Sequence, residues 1–428
     1  MIALLATLLF AQAVPTRVLT LQEAQSLAHD RQPQLRAARG TTEAAQGRVE
    51  QSRSGLLPQL SATAGWERST NNYIFSPGGI LRTGPLETSW SSISYFNTRV
   101  TLSQLVWDFG QTSDKWRSTE ASARASAQQE RATGQGVLLQ VRTAFFNAVA
   151  YKELLAVARE TMQNQRKHLE QIQGFVHAGT RPPIDLSQAQ ADFSNAEVQV
   201  INADNAYQRS KVLLNQAMGV EGPIDYELAN DTLPPQGDED APFEPLLESA
   251  LRARPEIASA ADQVVAQRLL IQSALGAYAP SISVGAGLVQ GVGAGTNYEG
   301  WNVSAGVFLT WNLFQGGLTT GVVHEAQGNL GYALAQLDAQ RQQVRVDVDQ
   351  ALLAIRAAKA AQSSSRNALT AARQRLSLAE GRYQNGSGSV LELGDAQIAA
   401  ANAAAQVVQT DFQLATARAQ LLWALGRG

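Results

Sequence analysis

A chain of 428 residues with no cysteine and a formal charge of −3 excludes thiolate metal centres, redox pairs, thiol nucleophiles and a lipid carried on an N-terminal cysteine. Its Lys and Arg are scattered along the chain, which removes the electrostatic case for a nucleic-acid partner. Ala, Gln, Leu and Val dominate over aromatics, the composition of long helices.

The first stretch, MIALLATLLFAQA, is an apolar run too short to span a bilayer and ends in Ala11-Gln12-Ala13. It is expected to be a signal peptide, residues 1–13, cut after Ala13. No run of 18 apolar residues occurs elsewhere, so any membrane crossing is expected from strands. Helical periodicity occupies 33–57 and stops at Pro58, and two alternating strands follow. The helical pattern resumes after Gly110 and holds from 111 to 178, roughly 100 Å at about 1.5 Å per residue. Gly179 and the pair Pro182-Pro183 end it, and a shorter helix covers 183–219. The same order returns as a helix at 255–278, two strands, a long helix at 317–385 and a shorter helix at 390–425.

This return is a duplication. Pro33 matches Pro255, Pro58 matches Pro280 and Gly65 matches Gly287 at one constant spacing. Val100 with Val307, Gly110 with Gly317, Gly179 with Gly386 and Gly219 with Gly426 share a second, shorter one. The halves therefore differ mainly by a loop of the first half, about 68–92, expected at the surface. The segment EGPIDYELANDTLPPQGDEDAPFE, rich in Pro, Asp and Glu, is expected to be a linker wrapped on the outside of a shared structure. The plan is thus a signal peptide at 1–13, a first repeat at 14–220, a linker at 221–242 and a second repeat at 243–428. Small residues such as Ala400 and Ala405 allow close helix packing in a coiled coil.

All four strands carry one apolar and one small or polar face. Leu60, Ala62, Ala64 and Trp66 alternate with Gln59, Ser61, Thr63 and Gly65, and Phe96, Val100 and Leu102 with Asn97, Arg99, Thr101 and Ser103. Ile282, Val284, Ala286 and Leu288 alternate with Ser281, Ser283, Gly285 and Gly287. In WNVSAGVFLTWNLFQGG the odd positions from Val303 to Leu313 are apolar. Periodicity alone fits a soluble sheet with one wet face as well as a barrel with lipid outside. Bilayer-spanning strand lengths, the export signal and aromatics at strand ends (Tyr278, Trp301, Trp311, Phe314, Trp107, Phe109) favour the barrel. Four strands cannot close one, since the smallest such barrels have about eight. An oligomer sharing one barrel is expected.

Enzyme chemistry finds no support. His29, His168, His177 and His324 show no HExxH or paired spacing and are read as solvated helix residues. Asp347 and Asp349 lie two apart on a helix and so do not face one another. There is no G-x-S-x-G serine and no phosphate-cradling Gly-Lys loop. No catalytic residue, metal or cofactor is expected.

The duplicated plan, the strand-to-helix junctions VWDFGQ and NLFQGG around Gly110, Gly316 and Gly317, and the turns FVHAGTRPPIDLSQAQ and RYQNGSGSVLELGDAQ resemble the TolC family of outer-membrane efflux proteins. The resemblance covers essentially all of the mature chain. It implies a mainly α chain with a small β part, in a homotrimer whose twelve strands, four per chain, form one barrel in outer-membrane lipid. The long helices would form a hollow α-barrel through the periplasm. It further implies a periplasmic adaptor protein and an inner-membrane pump as partners, with this chain as a passive exit duct for efflux or type I secretion.

The resemblance places a gate where the long helix of the second half turns into its shorter partner, at Tyr383, Glu392 and Asp395. Three copies of the two carboxylates would form an anionic ring. The residues alone favour the charging and capping of a helix first turn for Glu392 and Asp395; the resemblance turns the reading to the gate. Where family members can carry a basic residue between the tyrosine and the acids, this chain has Gly388. Arg181, at the matching place in the first half, is the expected substitute, reaching Glu392 or Asp395, and Asp185 is expected to hold a neighbouring helix. Gly179, Thr180, Gly386, Ser387 and Gly388 are the expected adaptor-docking tips. The loop 68–92 is a candidate for narrowing the outer mouth. The competing reading is a periplasmic coiled-coil adaptor or scaffold without its own pore, which the duplicated strand pairs disfavour.

Overall fold

The computed structural model describes residues 17–69, 90, 92–223, 225–293 and 299–427. The expected signal peptide and nearly all of the loop 68–92 lie outside the described residues. In chain order the elements are β1 (Arg17–Leu19), α1 (Leu21–Arg31), α2 (Pro33–Ser54), β2 (Gln59–Ser69), β3 (Ile93–Trp107), α3 (Gln111–His177) and α4 (Pro183–Met218). They continue with β4 (Tyr226–Leu228), α5 (Phe243–Ala253), α6 (Pro255–Gly276), β5 (Ser281–Gly293), β6 (Glu299–Thr310), α7 (Leu318–Gln384) and α8 (Val390–Ala424). The chain is mainly helical with a small β part, as expected, and α3 and α7 each run 67 residues.

Two compact units are formed. One takes the chain up to Gly40, Ala127–Ala258 and Asp338–Gly428; the other takes Thr41–Ser126 and Ser259–Leu337. Each draws on both halves of the sequence, so compact units and sequence repeats are different divisions of this chain.

In the first unit, Val137, Val141 and Phe145 of α3 pack with Leu214 and Met218 of α4 and with Ala24 and Ala28 of α1. Val344, Val348, Leu352 and Ile355 of α7 pack with Leu414 and Leu421 of α8 and with Leu246, Leu247 and Ala250 of α5. The spacing of three and four residues along α7 produces this stripe. The 221–242 segment is partly internal: β4 pairs parallel with β1, Leu19 opposite Leu228, and both leucines are buried. Beside it the Glu239 carboxylate receives Arg418 Nε at 2.7 Å and Lys359 Nζ at 2.9 Å.

Helices α1 and α5 and strands β1 and β4 add to the elements expected from sequence. Thr20 caps α1 through Glu23 N–H at 3.2 Å, and Gln32, before Pro33, turns extended and ends it. In both halves a left-handed glycine locks this junction. A Cβ on Gly219 (φ 67°) would lie 2.7 Å from Gln32 Cα, and one on Gly426 (φ 71°) would lie 3.0 Å from the Ala253 carbonyl carbon. Backbone contact leaves no room for a side chain at either glycine.

The second unit holds a four-stranded antiparallel sheet in the order β2-β3-β5-β6. Leu60 faces Leu102 across β2 and β3, Leu102 faces Ala286 across β3 and β5, and Ala286 faces Ala305 across β5 and β6. A register shift between Leu105 and Trp107 bends the end of β3. Strand β6 stops at Thr310, so Trp311 and Leu313, expected to continue the alternation, lie beyond the strand. Trp311 instead donates its indole N–H to the Tyr278 carbonyl at 3.0 Å.

Strand-to-helix junctions follow from local chemistry. Phe109 (φ 54°) and Gly110 (φ 90°) make the turn into α3, and Asp108 Oδ2 accepts the Thr112 N–H at 2.8 Å, satisfying a first-turn donor. The second half replaces this with Gly316 (φ 62°) and Gly317 (φ 87°).

Candidate functional site

Two regions qualify, one in each unit. In the sheet, one face is built of the apolar rungs Leu60-Leu102-Ala286-Ala305 and Ala62-Val100-Leu288-Val303. This face is open: Leu60 is 71% exposed, Val307 71% and Trp301 74%. The reverse face carries Ser61-Thr101-Gly287-Ser304 and Thr63-Arg99-Val289-Asn302, with Ser61 and Thr101 hydroxyls 2.7 Å apart. An exposed apolar face this large, ending in Trp66, Phe96 and Trp301 at one edge and Trp107, Tyr278 and Trp311 at the other, matches a lipid-facing band with aromatic girdles. Strands β2, β3, β5 and β6 run 11, 15, 13 and 12 residues, enough to cross a hydrocarbon core when tilted. Among the described residues no helix is long and apolar enough to do so.

The second region is the paired helix tips. Between α3 and α4 the chain turns at Gly179 (φ 72°), and Thr180 bonds the Phe175 carbonyl through its N–H at 3.0 Å and its hydroxyl at 2.9 Å. Between α7 and α8 it turns at Gly386 (φ 73°), and the Ser387 and Gly388 N–H groups both donate to the Arg382 carbonyl, at 2.9 and 3.0 Å. Left-handed glycine closures of this kind satisfy the last helix carbonyls. A Cβ on Gly179 or Gly386 would meet nothing within 4 Å, whereas one on Gly388 would lie 2.9 Å from Tyr383 N. Gly388 is therefore a packing glycine, and no basic side chain fits there in this turn.

Tyr383 lies in a cluster with Ile172 and Ala189 on one side and Ala379, Leu393 and Ala396 on the other. It is 3% exposed. Its ring meets His168 edge-on at 5.5 Å, the Arg181 guanidinium lies 4.9 Å from its centroid, and its hydroxyl has no hydrogen-bond partner among the described residues. Burial pushes the phenol pKa up; Arg181 opposes this and Asp185 adds to it. His168, expected among solvated helix residues, is instead 7% exposed. Burial lowers its pKa, with Asp192 pulling the other way.

Within the chain, Arg181 is placed differently from the expectation. It pairs with Asp185 at 4.0 Å, one turn along, while Glu392 is held by Arg382 at 2.9 Å. Ser389 caps α8, its hydroxyl accepting the Glu392 N–H at 3.1 Å; the cap is Ser389 and Glu392 is the charge behind it. Asp395 is exposed one turn further. The structure thus brings Tyr383, Arg181 and Asp185 together, and Glu392 with Arg382, and leaves Asp395 on the surface. Arg382, His168 and Ser389 were missed from sequence. The Ser389-x-x-Glu392 spacing was a readable capping signal, but His168 sits on another helix, far away in sequence. Ile184 and Leu391, at matching places in the two halves, point outward at the tips, 73% and 76% exposed.

A family profile described as "Outer membrane efflux protein" matches residues 24–220 and 246–427. Protein CyaE of Bordetella pertussis is 27% identical over 414 residues, covering 95% of this chain and 84% of its own. Outer membrane protein TolC of Escherichia coli is 23% identical over 410 residues, covering 92% and 79%. The crystal structure of the Campylobacter jejuni CmeC outer membrane channel superposes with a TM-score of 0.81 at 20% identity, over 95% of this chain and 86% of that one. The two segments matched by the profile fall one in each half of the sequence. The chain belongs to the outer membrane efflux protein family, and it is a channel protein of the bacterial outer membrane with a TolC-like fold.

Proposed function

We propose that three copies of this chain assemble into a passive exit duct, gated at the helix tips and completed by a periplasmic adaptor and an inner-membrane pump. The observation that carries the reading is the sheet: a lipid-type apolar face, a polar reverse, and two long outer strands, β2 and β6, each paired on one side. Unpaired edges of 11 and 12 residues cannot stand in a bilayer, because each open N–H and C=O costs several kcal/mol there. Joining β6 of one copy to β2 of the next closes a twelve-stranded barrel and removes every edge.

The duplication, 14–220 and 243–428 joined by 221–242, gives each copy two similar hairpin tips. Tyr383, Arg181 and Asp185 hold one tip to the other within a copy, and Glu392 and Asp395 supply the acidic ring. The exposed Ile184 and Leu391 beside Gly179, Thr180, Gly386 and Ser387 form the docking edge for adaptor hairpins. Related proteins bear names as different as Fusaric acid resistance protein FusA of Burkholderia cepacia and Alkaline protease secretion protein AprF of Pseudomonas aeruginosa. A duct whose pump selects the cargo accounts for such range.

Mass measurement of the detergent-purified protein, with single-channel recording in planar bilayers, tests the proposal. Trimers that insert and conduct weakly, with larger currents after Glu392→Gln and Asp395→Asn, agree with it. Monomers that never insert return the chain to the adaptor or scaffold reading.

A further inference from the structure

We infer that Arg99 makes the barrel section of the duct prefer anionic solutes, as a ring of three guanidiniums around the lumen; the inference rests on the duct reading above. Arg99 stands mid-strand on β3, exposed on the polar face, in the rung Thr63-Arg99-Val289-Asn302. The rung on one side is Ser61-Thr101-Gly287-Ser304 and on the other Gly65-Asn97-Gly291-Gly300. Neither carries a charge, and glycine recurs in both. The guanidinium therefore projects from a wall with little side chain around it. Among the described residues no carboxylate pairs with Arg99.

Among the described residues the nearest acid on that face is Glu67, two rungs away. At about 3.3 Å per residue it lies about 13 Å along the strand, beyond the Debye length of about 8 Å at physiological salt. Its charge does not cancel the Arg99 field.

The scale of the barrel makes that field felt. Twelve strands about 4.8 Å apart and tilted by about 40° give a backbone radius of about 12 Å. An arginine reaching about 6 Å inward leaves its charge within about one Debye length of the axis. Rings of Arg or Lys are how pores select anions. The acidic residues at the tips act on the same current in series, so the signature is the difference between Arg99 variants rather than the sign of selectivity in the parent protein.

The test is the reversal potential of the full chain in planar bilayers across a KCl gradient near 0.1 M. Arg99→Gln is expected to lower the chloride-to-potassium permeability ratio about three- to tenfold, and Arg99→Lys to preserve it. The difference is expected to vanish near 1 M salt, where the Debye length is about 3 Å. Because the chain has no cysteine, Arg99→Cys gives a second reading in assembled channels. A cationic thiosulfonate should restore anion preference there, and an anionic one should drive the reversal potential the other way. Conducting channels whose reversal potential ignores all of these changes overturn the role of Arg99 and leave the duct standing. A parent protein that never conducts overturns the duct, and the Arg99 inference with it.

Discussion

The two hairpin tips are copies of one turn held by different chemistry. Both bend at a left-handed glycine, Gly179 or Gly386, with open space where a Cβ would stand. Two positions on, the first tip has Arg181, which reaches the Tyr383 ring and Asp185. The second has Gly388, pressed against the Tyr383 backbone. The first helix after the turn begins with Pro182 and no side-chain cap, the second with the Ser389 cap and the Arg382–Glu392 pair. A duplicated turn has thus divided its labour: one copy supplies the cation that covers the tyrosine, and the other supplies the tyrosine and the glycine that packs on its backbone.

The largest effect that breaks this division is Tyr383→Ala. Removing a buried aromatic is expected to cost the tip cluster about 3–5 kcal/mol, read as higher open probability and as faster hydrogen exchange at 376–396. Tyr383→Phe separates packing from the hydroxyl. With no partner for the oxygen, it should leave exchange protection equal or improved; a Phe variant as open as the Ala variant contradicts the packing role.

Next in size is Gly388→Ala. A Cβ 2.9 Å from Tyr383 N forces the turn apart, at about 1–3 kcal/mol. Gly386→Ala strains only the left-handed backbone, at about 1 kcal/mol. Ranking the two by thermal stability of the tips, with 388 the worse, checks whether 388 is a packing position. The equivalent change at Arg181 should open the channel without this steric signature.

These contacts also mark how far the sequence could be read. The long helices and the strands were legible because their periods persist over many residues; alternation puts Ala62, Val100, Leu288 and Val303 on apolar faces, while their pairing, Ala62 with Val100 and Leu288 with Val303, is a tertiary fact that a period of two leaves open. Strands β1 and β4, three residues each, are too short for any period to show. At the tips, Gly179 and Gly386 announced the turns, while the fit of Gly388 on Tyr383 and the burial of His168 are tertiary contacts with no local pattern. Arg382 was hidden for another reason: the resemblance points to a basic residue after the tyrosine, and in this chain it sits immediately before it.

A smaller effect comes from pH. The pKa of His168 is lowered by burial, so the folded tip favours the neutral ring. Its contribution is intact above the unfolded value near 6.5 and lost as pH falls below it. A protonated His168 would also place a second cation, besides Arg181, against the Tyr383 ring. Open probability should rise between pH 7.5 and 5.5, and His168→Phe should flatten that dependence; an unchanged profile removes His168 from the gate. Smallest of all is the Arg382–Glu392 pair. Both side chains are substantially exposed, 58% and 36%, so a double-mutant cycle of Arg382→Gln and Glu392→Gln should return less than about 1 kcal/mol.

In the proposed duct, one face of the sheet meets lipid and the other meets water. Single cysteines introduced into the cysteine-free chain at Ala62 and Val303 on one face, and at Thr63 and Asn302 on the other, test it directly in outer-membrane preparations with a charged, water-soluble thiol reagent. Rapid labelling at 63 and 302 with protection at 62 and 303 is the result expected of a lipid-embedded, water-filled barrel. Equal labelling at all four positions would contradict it.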